Sequence, residues 1–185
     1  GSAPPAPGIA TLNLYADSLQ RIIEHLDHPK LNGWIIDLRK NWGGTNMPMI
    51  AGIGPLLDSE NAYYYIRSNG EVFTKSYYKH DTFYDIDESE GNATTLQVKN
   101  SHQVKEKNLP IAILTNQVTG SAGEVVLASF LGQTNVKSFG STTGGAITAN
   151  AAVFLDDGSL FNISAAYLDN RNKEVYYNGI EPDIK

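Results

Sequence analysis

A serine framed by glycines and a Gly-Gly pair behind an Asp-Leu-Arg run are the parts of this sequence best able to do chemistry. The serine is Ser121, in Val118-Thr119-Gly120-Ser121-Ala122-Gly123-Glu124. Before it stands Ile111-Ala112-Ile113-Leu114-Thr115, an apolar run of the length of a buried strand. After it, Val125 to Leu131 reads as an apolar helix stopped by Gly132. A hydroxyl where a strand turns into a helix faces unpaired backbone N–H groups and the positive end of the helix field. Both favour a nucleophile and the oxyanion it generates. Ser121 and Glu124 also match the S-x-x-E capping box, an ordinary way to begin a helix. On this stretch alone both readings stand.

Gly43-Gly44 follows a second strand-like run, Gly33 to Arg39. Two glycines free the backbone for close approach to another group, and a plain tight turn is the alternative. Phosphate binding is excluded, because neither G-x-G-x-x-G nor G-K-[ST] occurs. The absence of cysteine removes disulfides, thiolate catalysis and thiolate zinc sites. His25 and His28 lie three apart on a helical pattern but lack a third ligand, so they read as solvated or half-buried. The acidic run Asp85 to Gly91 imitates a calcium loop, yet its glycine falls one place late and Leu96 stands where a bidentate Glu is required. No metal and no cofactor are therefore expected. A net charge of −6 weighs against a nucleic-acid partner, which requires a basic face.

Several elements must position these groups. Residues 1–8 are Pro/Ala-rich and read as a flexible arm, and Gly1-Ser2 without an initiator Met reads as an expression remnant ahead of a fragment. Residues 9–185 are expected to form one core, large enough to bury a sizeable interior. Tyr15, Leu19, Ile22, Ile23 and Leu26 recur at helical spacing over Asn13–His28, ended by Pro29. Thr45 or Asn46 can cap a helix whose core face is Ile50, Ile53, Leu56 and Leu57. Residues 62–100 change character: Tyr63-Tyr64-Tyr65, an Asn69-Gly70 turn and further aromatics read as a β-rich insertion. A strand over Asn135–Gly140, a Gly-rich loop to Gly145 and a hairpin turning on Asp156-Asp157-Gly158 follow. Strand–helix units followed by a hairpin indicate an α/β fold with a mixed sheet. A strand over Thr148–Leu155 with a free edge offers pairing to an extended peptide.

Four stretches together resemble the tail-specific, or C-terminal processing, serine peptidases. They are Asp37-Leu38-Arg39-x-Asn41-x-Gly43-Gly44, Thr119 to Glu124, Phe139 to Gly144, and Gly179-Ile180-x-Pro182-Asp183, in that order over about Asn13 to Ile184. Within the family the chain is most similar to the nisin resistance branch. The resemblance implies a crotonase/Clp-protease-like core with Ser121 as nucleophile and the amides of Ala122 and of Gly43 or Gly44 as oxyanion hole, with Glu124 supporting the helix start. It also implies a bacterial, extracytoplasmic peptidase acting on peptides or protein C-terminal regions, attached to a membrane only through an anchor outside this sequence. Better-known members carry a lysine base where Ala146 stands here. Resemblance to the nisin resistance branch implies instead a histidine from a segment ahead of the first helix, so the base is expected outside these residues. His25, His28, His80, His102 and Lys137 match no catalytic position of the family. Two other classes remain open: a non-catalytic peptide-binding scaffold, and a crotonase-type acyl-CoA enzyme suggested by fold kinship alone.

Overall fold

The computed structural model describes residues 8–185, so all but Gly8 of the expected arm lies outside the described residues. In chain order the elements are α1 (Ile9–Leu26), β1 (Trp34–Asp37), α2 (Asn46–Ile53), β2 (Asn61–Ile66), β3 (Val72–Lys79), β4 (Thr82–Asp87), β5 (Ala93–Gln97), β6 (Ile111–Thr115), α3 (Ala122–Phe130), β7 (Val136–Gly140), β8 (Thr148–Phe154) and β9 (Leu160–Asn170). The α/β class stands, and the strands divide between two sheets. A parallel sheet runs β1-β6-β7 and an antiparallel one runs β5-β4-β3-β2-β9-β8.

Crossover chemistry explains the division. β1, β6 and β7 are linked by long crossovers, as parallel neighbours must be (α2 with β2–β5, then α3), and pair in register from Trp34↔Ile111 and Ile111↔Val136 onward. β2 to β5 are joined by short turns, as antiparallel neighbours can be, the first around Asn69-Gly70 with Gly70 at φ 85. The aromatic-rich segment is not a separate lobe. β2 pairs with β9, Tyr63 opposite Asn170, so this segment and the C-terminal hairpin form one continuous sheet.

Helix α3 lies between the layers. Every residue from Ala122 to Phe130 is buried, and the helix packs against α2, β2 and β9. That is why its sequence is apolar on all sides instead of amphipathic. Leu127, Phe130, Ile113, Tyr63, Phe83 and Leu168 fill the interior around it.

The first helix begins four residues before the expected Asn13 and presents a different face. Ala16, Asp17, Gln20 and Ile23 point inward, whereas Tyr15, Ile22 and Leu26 are exposed. Close packing onto α2 is the reason. A Cβ on Gly52 of α2 would stand 2.6 Å from Leu19, a separation that favours small residues at the contact. The Gln20 amide in turn donates to Ala51 O at 2.7 Å and to the Tyr78 hydroxyl at 3.0 Å.

Candidate active site

The loops that follow β1 and β6 meet at one end of the parallel sheet, the end where open α/β sheets place their sites. Their backbones are tied together. Gly120 N–H donates to Asn41 O at 3.0 Å, and the buried Thr119 hydroxyl donates to Leu38 O at 2.9 Å. Between them Ser121 adopts φ 50 and ψ −119, a conformation that a residue with a Cβ holds only under strain of about 1–3 kcal/mol. Glu124 N–H, the group a capping serine hydroxyl would take, donates instead to the Ser121 carbonyl at 2.8 Å. The Ser121 side chain makes no capping hydrogen bond and is only half-buried. The reciprocal arm of the box runs from Ser121 N–H to Glu124 Oε2 at 2.9 Å.

Gly43 touches this serine. A Cβ built at Gly43 would lie 2.6 Å from Ser121 Cβ and 3.2 Å from Oγ, and Gly43 holds φ 113, so glycine is required on both counts. The two amides of the glycine pair differ. Gly43 N–H donates to Asn41 Oδ1 at 3.0 Å, whereas Gly44 N–H has no hydrogen-bond partner among the described residues. Ala122 N–H, at the open start of α3, is likewise unpaired among them. The site thus holds two free backbone donors on the two loops that flank a free hydroxyl.

Glu124 holds the surrounding loops. Its side chain is fully buried, and besides Ser121 N–H it accepts from the Thr143 hydroxyl at 2.5 Å and from Gly145 N–H at 2.8 Å. Thr143 Oγ1 accepts in turn from Ile180 N–H at 2.8 Å, and Gly144 N–H donates to Thr119 O at 2.7 Å. Asp183 accepts from Ser138 N–H and from its hydroxyl, both at 2.8 Å. The four stretches singled out in the sequence therefore form one bonded assembly around Ser121. Replacing Glu124 with alanine would leave three donors without their acceptor, and we expect a stability loss of about 3 kcal/mol or more, read from denaturant unfolding.

Beside Gly43 opens a groove of about 860 Å³, walled by Leu12 and Tyr15 of α1 and by Trp42, Pro48 and Met49. Trp42 is 80% exposed. At one side Asp37 accepts from Arg39 Nε at 2.9 Å and from Nη2 at 2.7 Å, and this pairing holds the Asp37 carboxyl down to about 2.

No histidine or lysine hydrogen-bonds to Ser121 among the described residues. His102 pairs with the buried Asp27 at 2.9 Å, and Lys137 with Asp183 at 3.3 Å. His25 and His28 are exposed at the far end of α1 and just beyond it, and His80 sits in the turn between β3 and β4. Ala146 is exposed in the Gly-rich loop. No group of three or more His, Asp or Glu able to hold a metal is found among the described residues. Sequence reasoning missed the roles of three contributors, Asn41, Thr143 and Asn46, although Asn41 and Thr143 stand in the stretches singled out and Asn46 was a candidate helix cap.

Residues 9–185 match the description Peptidase family S41. The nisin-resistance protein of Lactococcus lactis subsp. lactis is 36% identical over 155 residues, 83% of this chain and 46% of that protein. The carboxy-terminal processing protease CtpA of Bacillus subtilis is 26% identical over 171 residues, 92% of this chain and 32% of that protein. The chain thus spans less than half the length of these relatives. Among solved structures, a lipoprotein from Streptococcus agalactiae superposes with TM-score 0.68 at 29% identity, covering 96% of this chain and 57% of that one. A putative S41 protease from Bacteroides fragilis gives 0.63 at 18% identity over the whole chain and 44% of its own, a likeness of fold.

Proposed function

This chain belongs to peptidase family S41, and from that premise we propose that Ser121 is the nucleophile of a serine peptidase acting on peptides or protein C-terminal regions. Ser121 Oγ attacks the carbonyl carbon of the scissile amide while its proton passes to a general base. The tetrahedral oxyanion accepts from Ala122 N–H and Gly44 N–H, on which no other hydrogen bond draws among the described residues. Collapse of that intermediate expels the amine, which takes up the proton from the base, and leaves an acyl ester on Ser121. Water, deprotonated by the same base, then hydrolyses the ester and regenerates the hydroxyl. The reaction as written requires neither metal nor cofactor.

We place the general base outside these 185 residues. The reading is supported by the absence of a histidine or lysine bonded to Ser121 among the described residues, and by the greater length of the relatives. The substrate lies as an extended strand along β8, which among the described residues pairs with β9 on one side only and leaves its other edge open. The groove under Trp42 takes an apolar side chain of that substrate. We further place the protein outside the cytoplasm of a bacterium, in keeping with the bacterial origin of its relatives. Among the described residues no helix is long and apolar enough to cross a membrane.

The observation that carries this reading is the strained, uncapped Ser121 seated against Gly43. A fluorophosphonate probe tests it on the full-length parent protein. The expected result is a single adduct on Ser121, located by mass spectrometry and lost when the protein is denatured first. A folded, unlabelled protein would favour the non-catalytic scaffold, which shares the geometry without the base.

A further inference from the structure

We infer that Tyr63, on the antiparallel sheet, is a positioning residue that sets the oxyanion loop through Asn46. The inference rests on the proposed roles of Ser121, Ala122 and Gly44. Asn46 opens α2 two residues after Gly44. Its side chain is fixed at both ends: Oδ1 accepts from Met47 N–H at 2.8 Å, and Nδ2 donates to the Tyr63 hydroxyl at 2.7 Å. Thr45, the residue between, makes no capping bond with its side chain. The Asn46 bonds therefore anchor the α2 side of this loop, as the bond from Gly43 N–H to Asn41 Oδ1 anchors the other.

Tyr63 is well suited to be the fixed end. It is fully buried, lies 6.5 Å from the Phe83 ring in stacked orientation and meets Tyr65 edge-on at 5.6 Å. Burial and the neighbouring Asp85 carboxylate push its ionisation far upward, so the hydroxyl remains a neutral acceptor throughout the working pH range. Asp85 is itself held by the Ser76 hydroxyl at 2.5 Å. Strand β2 also packs on α3, the helix whose first residue is Ala122. The two donors sit on different loops of the parallel sheet, and their separation decides whether both reach one oxygen. One strand of the second sheet bonds to one loop and packs against the helix that carries the other. It acts as the gauge between them.

A gauge shifts transition-state binding more than substrate binding, since the oxyanion forms only in the transition state. In the full-length protein, Tyr63→Phe keeps the stacked ring and removes the acceptor. We expect kcat to fall by about 10-fold or more with KM within about twofold. Asn46→Ala should give a similar loss, and the double variant should lose little beyond either single one. Should Tyr63→Phe not fold, Asn46→Ala carries the same expectation, because Asn46 is only half-buried at a helix start. Unchanged kcat, or multiplicative losses in the double variant, would overturn the inference. Ser121→Ala separates the two levels. If it retains turnover, the nucleophile reading itself fails. If it is inactive while Tyr63→Phe and Asn46→Ala keep full kcat, only the gauge is wrong.

Discussion

Replacing Ser121 with alanine in the full-length protein is expected to lower peptide hydrolysis by about 10³-fold or more. The fold should survive almost unchanged, and the reason is local. The side chain carries no capping hydrogen bond, so α3 loses none. Alanine also keeps a Cβ, so the cost of φ 50 is the same before and after the change. Thermal or denaturant unfolding should differ by about 0.5 kcal/mol or less. Had the serine been a helix cap and nothing more, the pattern would invert: turnover intact, stability down by about 1 kcal/mol. Measuring kcat/KM and the unfolding midpoint on one preparation distinguishes the two, and normal turnover in the variant would remove Ser121 from the mechanism.

A single methyl group on Gly43 should be nearly as damaging. It would stand 2.6 Å from Ser121 Cβ, inside any real contact distance, and a tight 3.0 Å from Gly120 O, on a residue at φ 113. Ser121 and the start of α3 must move, or the Gly43-Gly44 loop must. Either motion separates the hydroxyl from Gly44 N–H and Ala122 N–H. We expect Gly43→Ala to reduce kcat by about 10²-fold or more, the scale of one lost oxyanion donor. Gly70→Ala is the matched control. Gly70 also has a positive φ, 85, but nothing lies within 4 Å of where its methyl group would stand, so the change should cost stability alone, about 1–2 kcal/mol. Equal turnover in Gly43→Ala and Gly70→Ala would show that the loop at Gly43 is merely structural.

The parts of this site that lie within one stretch of chain are legible without the fold. Strand, Gly-Ser-Ala-Gly turn and helix can be read at Ser121 because period and glycine placement are local signals. The contact of Gly43 with Ser121 has no such signature, since it arises where two crossovers meet. Likewise the resemblance offers Gly43 or Gly44 as a donor without preference. The Asn41 side chain, by engaging Gly43 N–H, leaves Gly44 as the free one. Helix α1 misleads for a different reason. Its most apolar stripe, through Tyr15, Ile22 and Leu26, faces outward, while packing onto α2 selects Ala16 and Gln20. Hydrophobic period finds the greasy face of a helix, and close packing chooses the small one. The union of the aromatic segment with the last hairpin rests on β2–β9 pairing, a partnership between distant strands that no short-range pattern encodes.

The backbone of Ser121 carries a warning for anyone who would engineer this chain. At φ 50 and ψ −119 glycine is the residue of lowest energy, so a search guided by melting temperature would place glycine at position 121 and score it as an improvement. The same substitution deletes the hydroxyl proposed as the nucleophile. Robustness and competence are opposed at this one residue, and a hardened variant needs an activity assay before it counts as progress.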